Sequence, residues 1–291
     1  MMENALKKFW SVAAAIMALS LMFAGPMTAQ VNITTKKMKI ADFETRTTKV
    51  VLGGTDMFNL SFKNEISRRW RVSPYEFITL DEYESVKNNP NYYFLMPMDS
   101  RLQKETEPGI TVLSLFKGGS DDPKDAKARI EIISFPLCSS ESPSGRELTF
   151  LPAIIDIIQE YATDAVRSDM VGYAGLDSFP VKLNKAAGKT IHFSRTDLDG
   201  ADISNGKWEE KGISIVSDDE ADEIFASEQP GALVSYVVAP TTPEKNSVCY
   251  KMLISADTHE IFFLKKYKVG PGCRIGFQEN DLSLISKLKK K

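Results

Sequence analysis

Cysteine, histidine and tryptophan are all scarce in this chain of 291 residues, which has three cysteines, two histidines and three tryptophans. Any mechanism that uses imidazole as a base or metal ligand must rely on His192 or His259. His259 opens the stretch HEIFF, which lacks the second histidine of a zinc-protease helix and falls in an expected turn. His192 alternates with Ile191 and Phe193 in an expected strand, the pattern of a partly exposed strand residue. Cys138, Cys249 and Cys273 form neither a CxxC pair nor a mixed Cys and His cluster, so no metal and no other cofactor is expected. In an exported protein they allow one disulfide; Cys249 with Cys273 is one arrangement and three buried thiols is the other, and spacing leaves both open.

Long hydrophobic runs are also missing. The apolar stretch 9–23 is shorter than the roughly 20 residues a membrane span needs, and the stretch 150–158 is interrupted by Pro152 and Asp156. No charge of one sign dominates: 36 basic and 39 acidic residues give a formal net charge of -3, which excludes electrostatic attraction to nucleic acid. Lys287, Lys289, Lys290 and Lys291 read as a solvated tail.

What the chain does have begins with an export signal. Lys7 and Lys8 precede the 9–23 run, and the small and turn-forming residues 24–29 follow, with cleavage expected after Ala29 and Ala24 as the second choice. The first cysteine, Cys138, lies far beyond the run, so no lipid anchor is expected. Removal of residues 1–29 leaves 262 residues at a formal charge of -4, an exported periplasmic or extracellular protein. With 43% hydrophobic and 10% aromatic residues the chain can bury a sizeable core, and its length fits two modules.

Those modules are visible as a repeat. Trp70, Tyr75, Phe77, Thr79, Asp81 and Glu82 recur without a gap as Trp208, Ile213, Ile215, Ser217, Asp219 and Glu220. In each copy a hydroxyl precedes a glutamate by three residues, Thr79 with Glu82 and Ser217 with Glu220, which is the capping box that opens a helix. The first copy predicts short strands at 40–43 and 50–52 and a helix at 57–70 with apolar positions 57, 58, 60, 62, 66 and 70. It continues with a strand at 75–80, a capped helix at 81–87, a strand at 92–96 and a hairpin pairing 111–116 with 129–135 across the polar loop 118–127. The second copy predicts a strand at 213–216, a helix at 218–225 and strands at 233–238, 249–255 and 260–267, the last two joined by a tight turn at Asp257, Thr258 and His259. Upstream of Trp208 the copies diverge, because 189–193 looks like a strand where the first copy has its helix before Trp70. Ser139, Ser140, Ser142, Pro143, Ser144 and Gly145 mark a linker, and a helix over 152–166 follows, with Pro152 in its first turn. The fold class is therefore α+β in two tandem modules, each a mixed or antiparallel sheet with a β-α-β-β-β core and one or two packing helices. They span 30–135 and 150–291, joined by a linker at 136–149.

Chemistry is harder to find. The chain contains no GxSxG elbow, P-loop or dinucleotide glycine pattern, and Gly53-Gly54 and Gly118-Gly119 read as turns. Asp197, Asp199 and Asp202 around Gly200 have the oxygen ligands of a calcium loop but not its spacing or its closing glutamate. The acids Asp81, Glu82 and Glu84, and Asp218, Asp219, Glu220 and Asp222, stand at helix starts, where the helix dipole stabilises negative charge. Trp70, Tyr75, Tyr92, Tyr93 and Trp208 are the candidate ligand-binding residues, an aromatic platform if exposed and core if not.

The signal ending Thr28-Ala29-Gln30, the stretch LNKAAGKTIHFSRTDL, the following KW and the segment ISIVSDDEADEI resemble exported Bacteroidetes proteins of unknown function. That resemblance implies a cell-envelope or extracellular setting and no catalytic residue. The expected function is a non-catalytic exported protein that binds an envelope or extracellular partner, a protein or polymer. The alternatives are a hydrolase acting on glycan or peptide between the modules with acids such as Asp81, Glu82, Asp219 and Glu220, and a glycan-binding module.

Overall fold

In a computed structural model the described residues are 35–100, 109–119, 129–200, 206, 208–270 and 274–289. The expected signal segment at 1–29, the greater part of the 118–127 loop, Asp202, Cys273, Lys290 and Lys291 lie outside them. The chain starts with the short helix α1 (Lys36–Lys39), capped by the Thr35 side chain, and a 3-10 turn at Phe43–Thr45. No strand forms at 40–43, because Ile40 and Phe43 are three residues apart and reach the same core from a helical turn. Then follow β1 (Thr48–Leu52), α2 (Asp56–Arg69), β2 (Tyr75–Thr79), α3 (Leu80–Val86), β3 (Tyr93–Ser100), β4 (Ile110–Lys117) and β5 (Ile130–Ser139). Thr55 caps α2, which buries Phe58, Phe62 and Ile66 at four-residue spacing and leaves Met57 and Leu60 exposed. The sheet order is β2-β1-β3-β4-β5. The two helical connections place β1 parallel to both β2 and β3, and short connections make β3, β4 and β5 antiparallel.

The second module repeats this plan with β6 (Thr190–Ser194), β7 (Ile213–Val216), α6 (Asp218–Ala226), β8 (Ala232–Val238), β9 (Val248–Ser255) and β10 (Ile261–Lys268), in the order β10-β9-β8-β6-β7. Thr48 stands opposite both Tyr75 and Tyr93, and Ile191 stands opposite both Ile213 and Leu233, so the two sheets share one register. The strand before Trp208 is thus the counterpart of β1, not of α2. The duplication reaches further upstream than the residue pattern indicates. In the place of α2 the described residues between β6 and β7 include 3-10 turns at Arg195–Asp197 and Glu209–Lys211. The β9–β10 turn is tight as expected, with His259 in the left-handed region at φ 57°.

Between the sheets runs α4 (Arg146–Arg167), a helix of 22 residues apolar on more than one side. It begins six residues earlier than expected, so Pro152 lies inside it, and β5 continues through Ser139. The expected linker 136–149 is therefore a strand end, a short turn and the first residues of a helix. Pro136 is tolerated because β5 is an edge strand, where a missing N–H costs no ladder bond. One hydrophobic cluster extends from Phe62 and Trp70 through Phe150, Ile154 and Ile158 of α4 to Val234, Tyr236 and Ile254 of the second sheet. The Phe150 ring stacks on Tyr236 at 4.3 Å and meets Phe225 at a tilt at 4.1 Å, and the Tyr236 hydroxyl donates to the Leu137 carbonyl in β5. A second helix, α5 (Asp169–Ala174), follows with Ser168 as its cap. The last helix, α7 (Glu279–Lys289), covers the far face of the second sheet with Leu282 and Ile285, where the buried Lys251 ammonium meets Asp281 at 2.7 Å. The expected solvated tail is in this helix through Lys289, whose Nζ donates to the Gly212 carbonyl at 3.0 Å.

A polar clasp reinforces the joint. Asp156 in α4 accepts from Arg69 at the end of α2 at 2.8 Å and lies 2.7 Å from Nδ1 of His259 in the second module. Burial opposes ionisation of Asp156, but the His259 hydrogen bond and the Arg69 charge overcome it and hold the carboxyl below its usual value. A depressed carboxyl adds stability that is fully present above its unfolded-state pKa and is lost as pH falls through the lower native value. Asp156→Asn therefore destabilises the protein most at neutral pH, and the gap from wild type closes as pH is taken below about 4. Denaturant titrations of both proteins across a pH series check this; a gap that stays constant to low pH would contradict it.

Candidate functional site

The aromatic residues singled out from the sequence do not assemble on a surface. Trp70 and Tyr93 are buried around Phe43, at ring distances of 6.4 and 5.0 Å, and the Trp70 indole donates to Ser73 at 3.0 Å. Trp208 is buried in the separate cluster beneath α7. Tyr75 is half-buried against Phe77 at 5.5 Å, and Tyr92 is half-buried with the Lys49 ammonium 4.5 Å above its ring. Three of the five are thus core residues and the other two are half-buried, so the five do not form one exposed platform.

The capping residues take up their expected positions, with one difference. Thr79 and Glu82 form the reciprocal box, Thr79 N–H donating to the Glu82 carboxylate at 2.7 Å and Glu82 N–H donating to the Thr79 hydroxyl at 3.3 Å. At the second site Glu220 N–H donates to the Ser217 hydroxyl at 3.2 Å, and the return bond does not form. His192 is buried with no hydrogen-bond partner on either ring nitrogen, and burial lowers its pKa. Asp199 accepts the Ile275 N–H at 2.9 Å, which uses it as a turn residue. Among the described residues no group of three or more His, Cys, Asp and Glu side chains is placed to hold a metal ion.

The structure brings a different set together. Strand β6 leads to β7 on one side, and β7 leads back past β6 to β8 on the other, so the chain reverses direction across the sheet at the carboxyl end of β6. Open α/β sheets hold their crevices at such points. Here a crevice of about 470 Å³ opens, lined among others by Arg146, Asp197, Asp218, Asp219, Asp222 and Tyr236. Arg146 projects into it from the first turn of α4 and is engaged on three sides. Its Nη1 donates to Asp197 at 3.0 Å, Nε to Asp222 at 2.9 Å and Nη2 to the Ser235 carbonyl at 3.3 Å. The guanidinium also lies 5.5 Å from the Phe150 ring and 5.9 Å from the Tyr236 ring. Asp197 is 4% exposed and accepts a second bond from the Ser235 hydroxyl at 2.6 Å. Asp218 accepts from the Ser194 hydroxyl and from the Thr196 hydroxyl, the latter at 2.8 Å.

These environments separate the acids. Burial pushes Asp197 and Asp222 above the usual carboxyl range even with Arg146 drawing them down. Asp218 stays below it, because the Ser194 and Thr196 hydroxyls outweigh its own burial. Asp219 is exposed on the first turn of α6. Asp218, Asp219 and Asp222 thus do more than seat a helix: they form an acidic wall with Asp197. Asp222 and Asp197 were visible in the sequence only as a helix-start acid and a turn residue, and Arg146 was hidden in a serine-rich stretch.

The first module has a crevice in the same place. About 280 Å³ opens at the carboxyl ends of β1 and β3, lined by Gly53, Thr55, Phe58, Asp99, Cys138 and Glu147 among others. Cys138 lines both crevices, and burial pushes its thiol up to about 12. Compared with family models, with curated proteins and with solved structures, the chain finds no match.

Removing Arg146 leaves the buried Asp197 without its cation. Arg146→Met should lower unfolding stability by about 3–5 kcal/mol, read from denaturant titration. A loss below about 1 kcal/mol would show that the pair is not a desolvated ion pair.

Proposed function

We propose that the protein is an exported, non-catalytic binding protein that takes a cell-envelope or extracellular partner at the crevice on the carboxyl ends of β6 and β8. The supporting observation is how its acids are spent. Asp197 and Asp222 share one guanidinium and Asp218 holds two hydroxyls, which makes a fixed polar wall. A glycosidase needs two carboxyls that both face one bond, one as acid and one as base or nucleophile. Here the two carboxyls with raised pKa are both tied to Arg146. Asp81 and Glu82, at the start of α3 in the first module, are not among the residues that line either crevice. The signal at residues 1–29 supplies the exported setting.

The test uses the secreted form, residues 30–291, and a variant in which Thr241, an exposed residue of the crevice wall, is replaced by tryptophan to fill the space. The secreted form should co-sediment with isolated envelope fragments, Thr241→Trp should stay in solution, and neither should cleave polysaccharide or peptide panels. Cleavage that Asp222→Asn abolishes would contradict the binding reading, and so would undiminished sedimentation of Thr241→Trp.

A further inference from the structure

The crevice on the second sheet does not stop at its own module. Cys138 lies in its wall and equally in the wall of the first module's crevice. The shared register puts both cavities at the carboxyl end of the central parallel strand, β1 in one module and β6 in the other. They therefore meet across the chain that leaves β5 and enters α4.

Each half presents negative charge to the opening, and the two sources are independent. In the second module it is the wall just described, with Asp219 exposed at its rim. In the first it is Glu147, which lines that crevice and is only 7% exposed. One Glu147 oxygen accepts the Gly145 N–H at 2.9 Å, and that is its sole hydrogen bond among the described residues, with no lysine or arginine paired to it. The contrast with Asp197 is direct, since Asp197, equally buried, has a guanidinium at 3.0 Å. The first turn of α4 offers this carboxylate only the partial charge of the helix dipole, and a full positive charge arriving from outside stabilises it further. Around Glu147 the wall is apolar and open, with Phe58, Leu137 and the paired glycines 53 and 54, which suits the hydrocarbon stem of a lysine or arginine.

We propose that the two crevices are halves of one groove for an extended basic peptide segment of a partner protein, one cationic side chain meeting Glu147 and a second meeting Asp219. An extended segment fits because its side chains leave the backbone at regular intervals, so a single strand of chain can serve both halves. The inference rests on the binding reading of the second module's crevice and adds the first module's crevice and the charge of the ligand to it.

Pentalysine is the probe, titrated calorimetrically into the secreted form at low ionic strength, with spermidine as the free-amine comparison. Pentalysine should bind saturably and more tightly than spermidine, and Glu147→Gln and Asp219→Asn should each weaken it about tenfold or more. Glu147→Gln should leave the melting temperature close to that of the wild type, since a glutamine oxygen can still accept the Gly145 N–H and only the helix-dipole contribution is lost. Absence of pentalysine binding, or binding indifferent to both substitutions, overturns the inference. Weakening by Asp219→Asn alone overturns the shared groove while the second module's crevice stands. Spermidine binding as tightly as pentalysine overturns the peptide assignment. Failure of the underlying reading shows separately, in envelope sedimentation that Thr241→Trp does not change.

Discussion

Everything else in the structure depends on α4 burying apolar side chains against two sheets at once. A surface helix has one apolar stripe. This one buries Phe150, Leu151, Ile154, Ile155, Ile157 and Ile158 in a single run, more than one stripe can hold, and the surplus face is what Phe225, Tyr236 and Val234 of the second module cover. The helix belongs to the first module by topology, in the position that α7 occupies in the second. By packing it belongs to both, and residues 35–291 form one compact unit as a result.

The asymmetry of the duplication follows from this. On the second sheet, Tyr236 and Met252 face each other across β8 and β9 and lie in the core that α4 closes. The matching pair on the first sheet is Met96 and Ser114, and Ser114 hydrogen-bonds Ser134 at 2.7 Å. That part of the first sheet opens instead onto a crevice lined by Met98, Val112, Ser114, Glu131 and Ser134 among others. Arg146 has the same origin. Standing where α4 enters the joint, it is drawn in with the helix, and Asp197, Asp222 and the Ser235 carbonyl are the groups that make its burial tolerable. The crevice is thus a by-product of docking one module's helix on the other module's sheet.

Strands and helices with a clear period were legible in the sequence. The strand at 213–216 and the turn around His259 stand as read, and so does the helix entrance at Thr79, because period-two alternation and local hydroxyl caps are set by near neighbours. The repeat was legible only from its tryptophans onward. Upstream, the described residues between β6 and β7 hold no counterpart of α2, and the match between β1 and β6 lies in hydrogen-bond register and not in residue type. The serine-rich stretch misled for a related reason: Ser144 and Gly145 look like linker, while the strand before them is paired with β4 through Ser139 and the helix after them packs on both modules, which local composition does not report. The site was the least legible part. Arg146, Asp197 and Asp222 lie far apart in the chain and come together only when α4 docks, and the candidate aromatics carried no mark that separates platform from core.

Residues 30–291 contain two tryptophans, Trp70 and Trp208, which sit one in each module and allow the claim for α4 to be measured directly. Trp208→Phe leaves a reporter in the first module, and Trp70→Phe leaves one in the second. Each variant is unfolded in denaturant and followed both by its fluorescence and by far-ultraviolet circular dichroism. If the shared helix makes one cooperative unit, the two signals coincide within each variant. A fluorescence transition clearly separated from the loss of secondary structure in either variant would mean that the modules unfold independently, and that α4 does not join them.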